Sequence, residues 1–218
     1  MAVEKPTGVL SHPNSKNDLG KALMATAYDD EIQGYRLESS IGEISWVYLL
    51  NRLDSATSGL LLMTTNAFVK TEVLKAFEKK QVRKVYAALV FGFARRGPPV
   101  WKDRLTVKKD QGGLRASTGS GLTAETRLLT AKPIPGMPAL SLLSLMPLTG
   151  RTHQLRIQAS KRGMPIVGDR TYGDFQKNKS IARSRGINRL CLHCVETEVE
   201  YVVDGKAFRF VAKSKAPF

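Results

Sequence analysis

The chain is poor in the residues from which metal centres, redox pairs and membrane spans are made. Its only cysteines are Cys191 and Cys194. Their C-x-x-C spacing could suggest redox or metal chemistry. Leu190 to His193 reads as a strand, though, and side chains on a strand alternate faces, so residues three apart point to opposite sides. With no second pair, both thiols are expected to be small structural residues, and no metal is expected. No apolar run reaches the 18 residues that would suggest a membrane helix. The N-terminus lacks the basic-then-apolar pattern of a signal peptide, which suggests a cytoplasmic protein. There is no internal repeat and no interdomain linker, so residues 1–218 are expected to form a single domain and a monomer. Acidic residues are scarce as well: 19 against 34 basic, a formal net charge of +15. So large an excess on a domain this size favours a polyanionic partner.

What is present centres on Asn51-Arg52-Leu53-Asp54-Ser55-Ala56-Thr57-Ser58-Gly59. The apolar run Trp46 to Leu50 precedes it and Gly59 to Met63 follows. Both are short enough to be buried strands. A polar break between two buried strands falls at a sheet edge, where a loop can face a ligand. An arginine and a carboxylate two residues apart there cost stability unless paired or used. A structural salt bridge and a functional site are both open on these residues alone.

The wider pattern resembles the RluA-type pseudouridine synthases. Arg52 to Leu62 resembles their H-R-L-D-x-x-T-S-G-L-L-L signature, with Asn51 where the family usually has histidine. Five further blocks follow the family's order. Lys5-Pro6-Thr7-Gly8 with His12-Pro13 resembles K-P-x-G…H-P. Lys84 to Gly92 resembles K-x-Y-x-A-L-V-x-G, and Gly150 to Arg156 resembles G-R-T-H-Q-L-R. Pro165 to Asp169 with Tyr172-Gly173 resembles P-I-V-G-D…Y-G, and Arg189 to Cys194 resembles R-L-x-L-H-A.

The resemblance implies an α+β pseudouridine-synthase fold with a long, mainly antiparallel central sheet flanked by helices and loops. It implies an isomerase that converts uridine in structured rRNA or tRNA to pseudouridine without a cofactor. The extra N-terminal S4-type domain of many relatives is not expected here, because residue 5 already lies inside the pattern. The chemistry breaks C1′–N1, turns the base and rejoins it through C5, so one carboxylate must act as nucleophile or base. The resemblance assigns that role to Asp54, base stacking to Tyr86, and the cation that keeps a carboxylate ionised to Arg156. Arg52, beside Asp54, is expected to hold the position a displaced base vacates. Thr57, Arg151, His153 and Leu192 are further candidate substrate contacts. His193 is read as structural or RNA-contacting. A binding-only protein would not need a carboxylate facing a polyanion. A glycosidase would want a second catalytic carboxylate, and none stands at a matching motif.

Local signals predict a short helix capped by Asp18, a hairpin or loop over 28–45, and a helix opened by Asn66. They predict strands over 84–93, 103–109, 124–129 and 139–145, a turn over 95–99, and a flexible glycine-rich loop over 111–122. The tail from Leu190 to Ala212 alternates as strands do. A helix is predicted from Thr149 to Gly163. Five residues of that helix would set Arg151 and Arg156 roughly 140° apart, one facing the pocket and the other phosphate or solvent. Lys177, Lys179, Arg183, Arg185 and Arg189 form a basic run with no acid among them. The run is expected to be a mobile loop between Gly173 and Gly186 that meets RNA phosphates.

Overall fold

The computed structural model describes residues 1–93, 99–110 and 113–218. The turn expected over 95–99 falls, but for Pro99, outside them, as do Gln111 and Gly112 of the expected loop. The described chain forms two compact units, Met1–Arg83 with Cys194–Lys215, and Lys84–His193 with Ala216–Phe218. None of its helices is long and apolar enough to cross a membrane.

In the first unit, β1 (Ala2–Lys5) pairs antiparallel with β5 (Ser58–Thr64). A meander of β2 (Tyr28–Asp29), β3 (Gly34–Glu38) and β4 (Ile44–Leu49) leads to the other side of β5. Every residue of β5 is buried, as the uninterrupted apolar run requires of a strand covered on both faces. Tyr35, Val47, Leu49, Leu61 and Met63 make one cluster. A second joins Leu50, Leu62 and Val199 to Val73 and Ala76 of α1 (Ala67–Glu78). Asn66 caps α1, accepting from the N–H groups of Phe68 and Val69, and satisfies donors that a helix start leaves unpaired. The tail forms a hairpin of β11 (Leu192–Val203) and β12 (Lys206–Lys213). Its turn is Asp204-Gly205, both at positive φ, the geometry that two-residue hairpin loops favour.

The second unit carries an antiparallel sheet in the order β6 (Val82–Phe91), β10 (Leu140–Pro147), β9 (Leu122–Ile134), β7 (Val100–Asp110), β8 (Gly113–Thr118). Two helices follow, α2 (Gln154–Lys161) and α3 (Phe175–Arg185). A buried polar network ties α2 to the sheet. Gln158 hydrogen-bonds Thr126 and Asp103, and Asp103 also takes Lys161 and Arg162.

Mixed α+β architecture with antiparallel sheets agrees with the expectation, and four local readings are corrected. Residues 113–118 form a strand instead of a loop, because β7 offers them a full antiparallel ladder from Asp110↔Gly113 to Leu105↔Thr118. Asp18 lies inside a 3-10 turn over Lys16–Lys21, with Ser15 at its cap position. The helix expected from Thr149 begins at Gln154. The basic run expected as a loop is largely the helix α3.

Candidate active site

Asp54 lies in the segment that joins β4 to β5, half-buried. The residues around it are fastened to residues 5–11. Lys5, 1% exposed, donates from Nζ to the carbonyls of Pro6, Val9 and Ser55 at 2.9, 2.6 and 3.0 Å. A buried ammonium is tolerable when its three donors meet acceptors. Gly8 N–H also donates to Ser55 O, and Thr7 Oγ1 donates to Ala56 O. Ser11 Oγ both donates to Leu53 O and accepts from Leu53 N–H. Buried Thr57 closes the turn, its N–H donating to Asp54 O at 3.0 Å. Leu53, Ser55 and Ala56 are thus pinned from outside the segment, and the carboxylate between them stands on a preorganised loop.

The start of this segment is clamped to β5. Leu50 N–H donates to Leu62 O, and Asn51 Oδ1 accepts from Leu62 N–H at 2.7 Å. Gly59 has φ +111, and a Cβ there would lie 2.4 Å from the carbonyl oxygen of Cys194. Backbone approach that close leaves only glycine possible in the motif. Arg52 is exposed, and its Nη1 lies 2.9 Å from His12 Nε2. His12 stacks on Tyr28 at 4.8 Å, and Tyr28 meets Tyr35 edge-on. Burial, aided by Asp30, pushes the Tyr28 phenol up to about 12, with Arg52 opposing.

In the second unit Tyr86 is buried on β6, opposite Leu145 of β10. Arg156 on α2 is buried and forms a two-pronged pair with Asp169, Nε to Oδ2 and Nη2 to Oδ1, each at 2.8 Å. Asp169 Oδ1 also accepts from the N–H groups of Thr171 and Tyr172. Burial works to raise the Asp169 carboxyl, but Arg156 and these two donors outweigh it and hold it below the usual carboxylate range. The Tyr172 ring lies 5.1 Å from the Arg156 guanidinium carbon, and its hydroxyl is 2.8 Å from His153 Nδ1. His153 holds a left-handed backbone, φ 54, just before α2.

Arg151 precedes the helix, exposed, with Nε donating to Thr123 O. Angular spacing around a shared axis therefore does not relate it to Arg156. At the late helix start the Gln154 side-chain oxygen accepts from Thr149 Oγ1 and Arg151 N–H, while its amide nitrogen donates to Glu125 O and Thr126 Oγ1 of β9. Leu192 and His193 are buried on β11. Cys191 and Cys194 are buried thiols, and burial pushes Cys191 up to about 11.

Among the basic residues, Lys177, Lys179, Arg183 and Arg185 are exposed on α3. The helix forms because Asp174 caps it, Ile181 anchors its inner face, and Gly186 ends it in the left-handed region. Lys177 pairs with Asp174 at 3.1 Å. Lys179 and Arg183 share one outward face with Gln176, Ser180 and Ser184. The sequence pattern contained Asp169 and Lys5 but gave neither a role. Lys5 lies in the K-P-x-G block and Asp169 in the P-I-V-G-D block, and those places are the one signal the sequence offers for them.

A carboxylate on a fastened loop, in a chain with net charge +15, is what an enzyme acting on a polyanion presents. The chain belongs to the RNA pseudouridylate synthase family, whose model matches residues 1–161. It is an enzyme that isomerises uridine in RNA to pseudouridine. The tRNA pseudouridine synthase C of Pasteurella multocida is 33% identical over 203 residues, covering 88% of this chain and 79% of that one. The ribosomal large subunit pseudouridine synthase C of Vibrio vulnificus is 31% identical over 199 residues, covering 88% of this chain but 56% of the relative. Human RNA Pseudouridylate Synthase Domain Containing 4 superposes with a TM-score of 0.63 at 20% identity, over 97% of this chain and 84% of that one. That likeness establishes the fold.

Proposed function

We propose that Asp54 is the carboxylate that acts on the target uridine, and that the target lies in a structured tRNA or rRNA. The fastening of Leu53, Ser55 and Ala56 to residues 5–11 is the observation that carries this reading. Such tethering costs chain entropy, and a surface acid with no task gains nothing from it. Tyr86 stacks on the displaced base, and Arg156 is the cation that keeps the catalytic carboxylate ionised. Both roles rest on the motifs these residues share with the family. The Arg156 pairing with Asp169 supports the second by fixing the guanidinium plane. Arg52, Arg151 and His153 supply polar contacts to the RNA, Thr57 and Leu192 shape its surroundings, and α3 offers phosphate contacts. The names of the bacterial relatives support the substrate class. The two units together make one catalytic domain, since the family match runs through the boundary at Arg83. The isomerisation consumes no external atom, so the enzyme works without a cofactor, in this reading as a cytoplasmic monomer.

Base-resolution pseudouridine mapping of total RNA, with and without the gene, identifies the modified position. On an oligonucleotide spanning it, Asp54→Asn should abolish conversion. It should leave RNA affinity equal or better, since it removes a negative charge from a basic protein. Turnover near the wild-type rate would take Asp54 out of the chemistry.

A further inference from the structure

In the first unit the end of β4 and the start of the Asp54 segment border a cavity of about 190 Å³, lined by Tyr28, Asp30, Gln33, Leu49, Leu50, Asn51 and Arg52. It is smaller than the roughly 300–1,000 Å³ of sites that enclose a whole drug-sized ligand. It therefore suits one flat group of a larger molecule. Tyr28, already stacked on His12, supplies an aromatic face of the kind on which unstacked bases lie. The polar lining is mixed, with the Asp30 carboxylate, the Gln33 amide and the Arg52 guanidinium. Carboxylates, amides and guanidinium groups are the side chains that read base edges. Asn51 adds an unmet requirement. Its Oδ1 is engaged by Leu62 N–H, but its buried Nδ2 has no hydrogen-bond partner, and a buried donor without an acceptor is uncommon.

Position decides what the cavity takes. Arg52 and Asp54 are two residues apart, a span of at most about 7 Å of chain. The cavity and Asp54 thus belong to one short segment, so an RNA whose target uridine meets Asp54 passes close to the cavity. We propose that this cavity receives the unpaired base of the nucleotide next to the target uridine, stacked on Tyr28 and bonded at its edge by Asp30, Gln33 and Arg52. This inference rests on Asp54 acting on that uridine, and it makes the flanking base a determinant of which uridines are modified.

The test is a double-mutant cycle on the oligonucleotide found by mapping, intact or with an abasic nucleotide on either side of the target. Affinity and rate come from single-turnover conversion at varied enzyme. Tyr28→Leu keeps the apolar packing and removes the stacking face. Gln33→Gly changes an exposed side chain on a left-handed backbone, φ 48, and so leaves folding intact. An abasic neighbour on one side should weaken wild-type binding by about fivefold or more, the low end for losing one stacked base. Each variant should weaken binding of intact RNA while leaving binding of that abasic RNA unchanged. Equal losses on both RNAs, or no loss on the intact one, overturn the proposal. Asp54→Asn in the same assay tests the underlying reading separately. If it stays active, Asp54 is misassigned, whatever the cycle returns.

Discussion

Asp169→Asn isolates the electrostatic core of the second unit. An asparagine whose carbonyl replaces Oδ1 keeps the bonds from Arg156 Nη2, Thr171 N–H and Tyr172 N–H. It loses the 2.8 Å bond from Arg156 Nε and puts an N–H₂ group against it. The larger loss is the charge that Asp169 sets against a guanidinium only 6% exposed. Removing one partner of a buried pair costs about 3–5 kcal/mol, and the three retained bonds set this case near the low end, about 3 kcal/mol. For a chain of this size that is a Tm drop of about 6–12 °C. Emission of Trp101, 3% exposed in the same unit, reports the transition in a Trp46→Phe background. The double variant Arg156→Met with Asp169→Asn removes the guanidinium together with its carboxylate partner and should recover part of the loss. The depressed carboxyl adds pH dependence. Its stabilisation is present above the unfolded value of about 3.9 and is lost as pH falls through the lower folded value. The gap between wild type and Asp169→Asn should therefore shrink below about pH 4. A single variant within 0.5 kcal/mol of wild type, or a double variant as unstable as the sum of the singles, would refute the reasoning; 0.5 kcal/mol is about the spread of ordinary surface changes.

Replacing Lys179 and Arg183 together with serine should lower the slope of log K against log salt by about 1.4–1.8, at about 0.7–0.9 per phosphate contact. Lys177→Ser, whose lysine already pairs with Asp174, should lower it less. An unchanged slope in the double variant would make α3 only a solvated face. Gly59→Ala should cost more than about 2 kcal/mol in a denaturant titration, because its Cβ would meet the Cys194 backbone; a stable variant would disprove the close approach. Burial tends to raise the Asp103 carboxyl, and Lys161, Gln158 and Arg162 together hold it below the usual range. Asp103→Asn should therefore destabilise at neutral pH and flatten the acid limb of the stability curve below about pH 4, and parallel curves would contradict the network.

The sequence by itself determined several features set by near neighbours and by pattern. Asn66 opening α1, the apolar runs flanking Asp54, the alternation of the tail hairpin and the six family blocks were all legible. They depend on residues a few positions apart, whose backbone bonds and buried faces repeat with the period of the element. The helix α3 has local signals in Asp174, Ile181 and Gly186, but the stretch was expected to be a loop because its dense positive charge suggested a solvated phosphate-binding segment. Tertiary structure alone decided the rest. Lys5 reaches Ser55 across 50 residues, Ser11 holds Leu53 across 42, and Asp169 faces Arg156 across 13. Gln154, at the start of α2, donates from its amide nitrogen to Glu125 and Thr126 of β9 and accepts from Thr149 and Arg151. No local propensity records such pairings, because their free energy exists only once the sheet has brought distant segments together and taken their polar groups out of water, where each must find a partner.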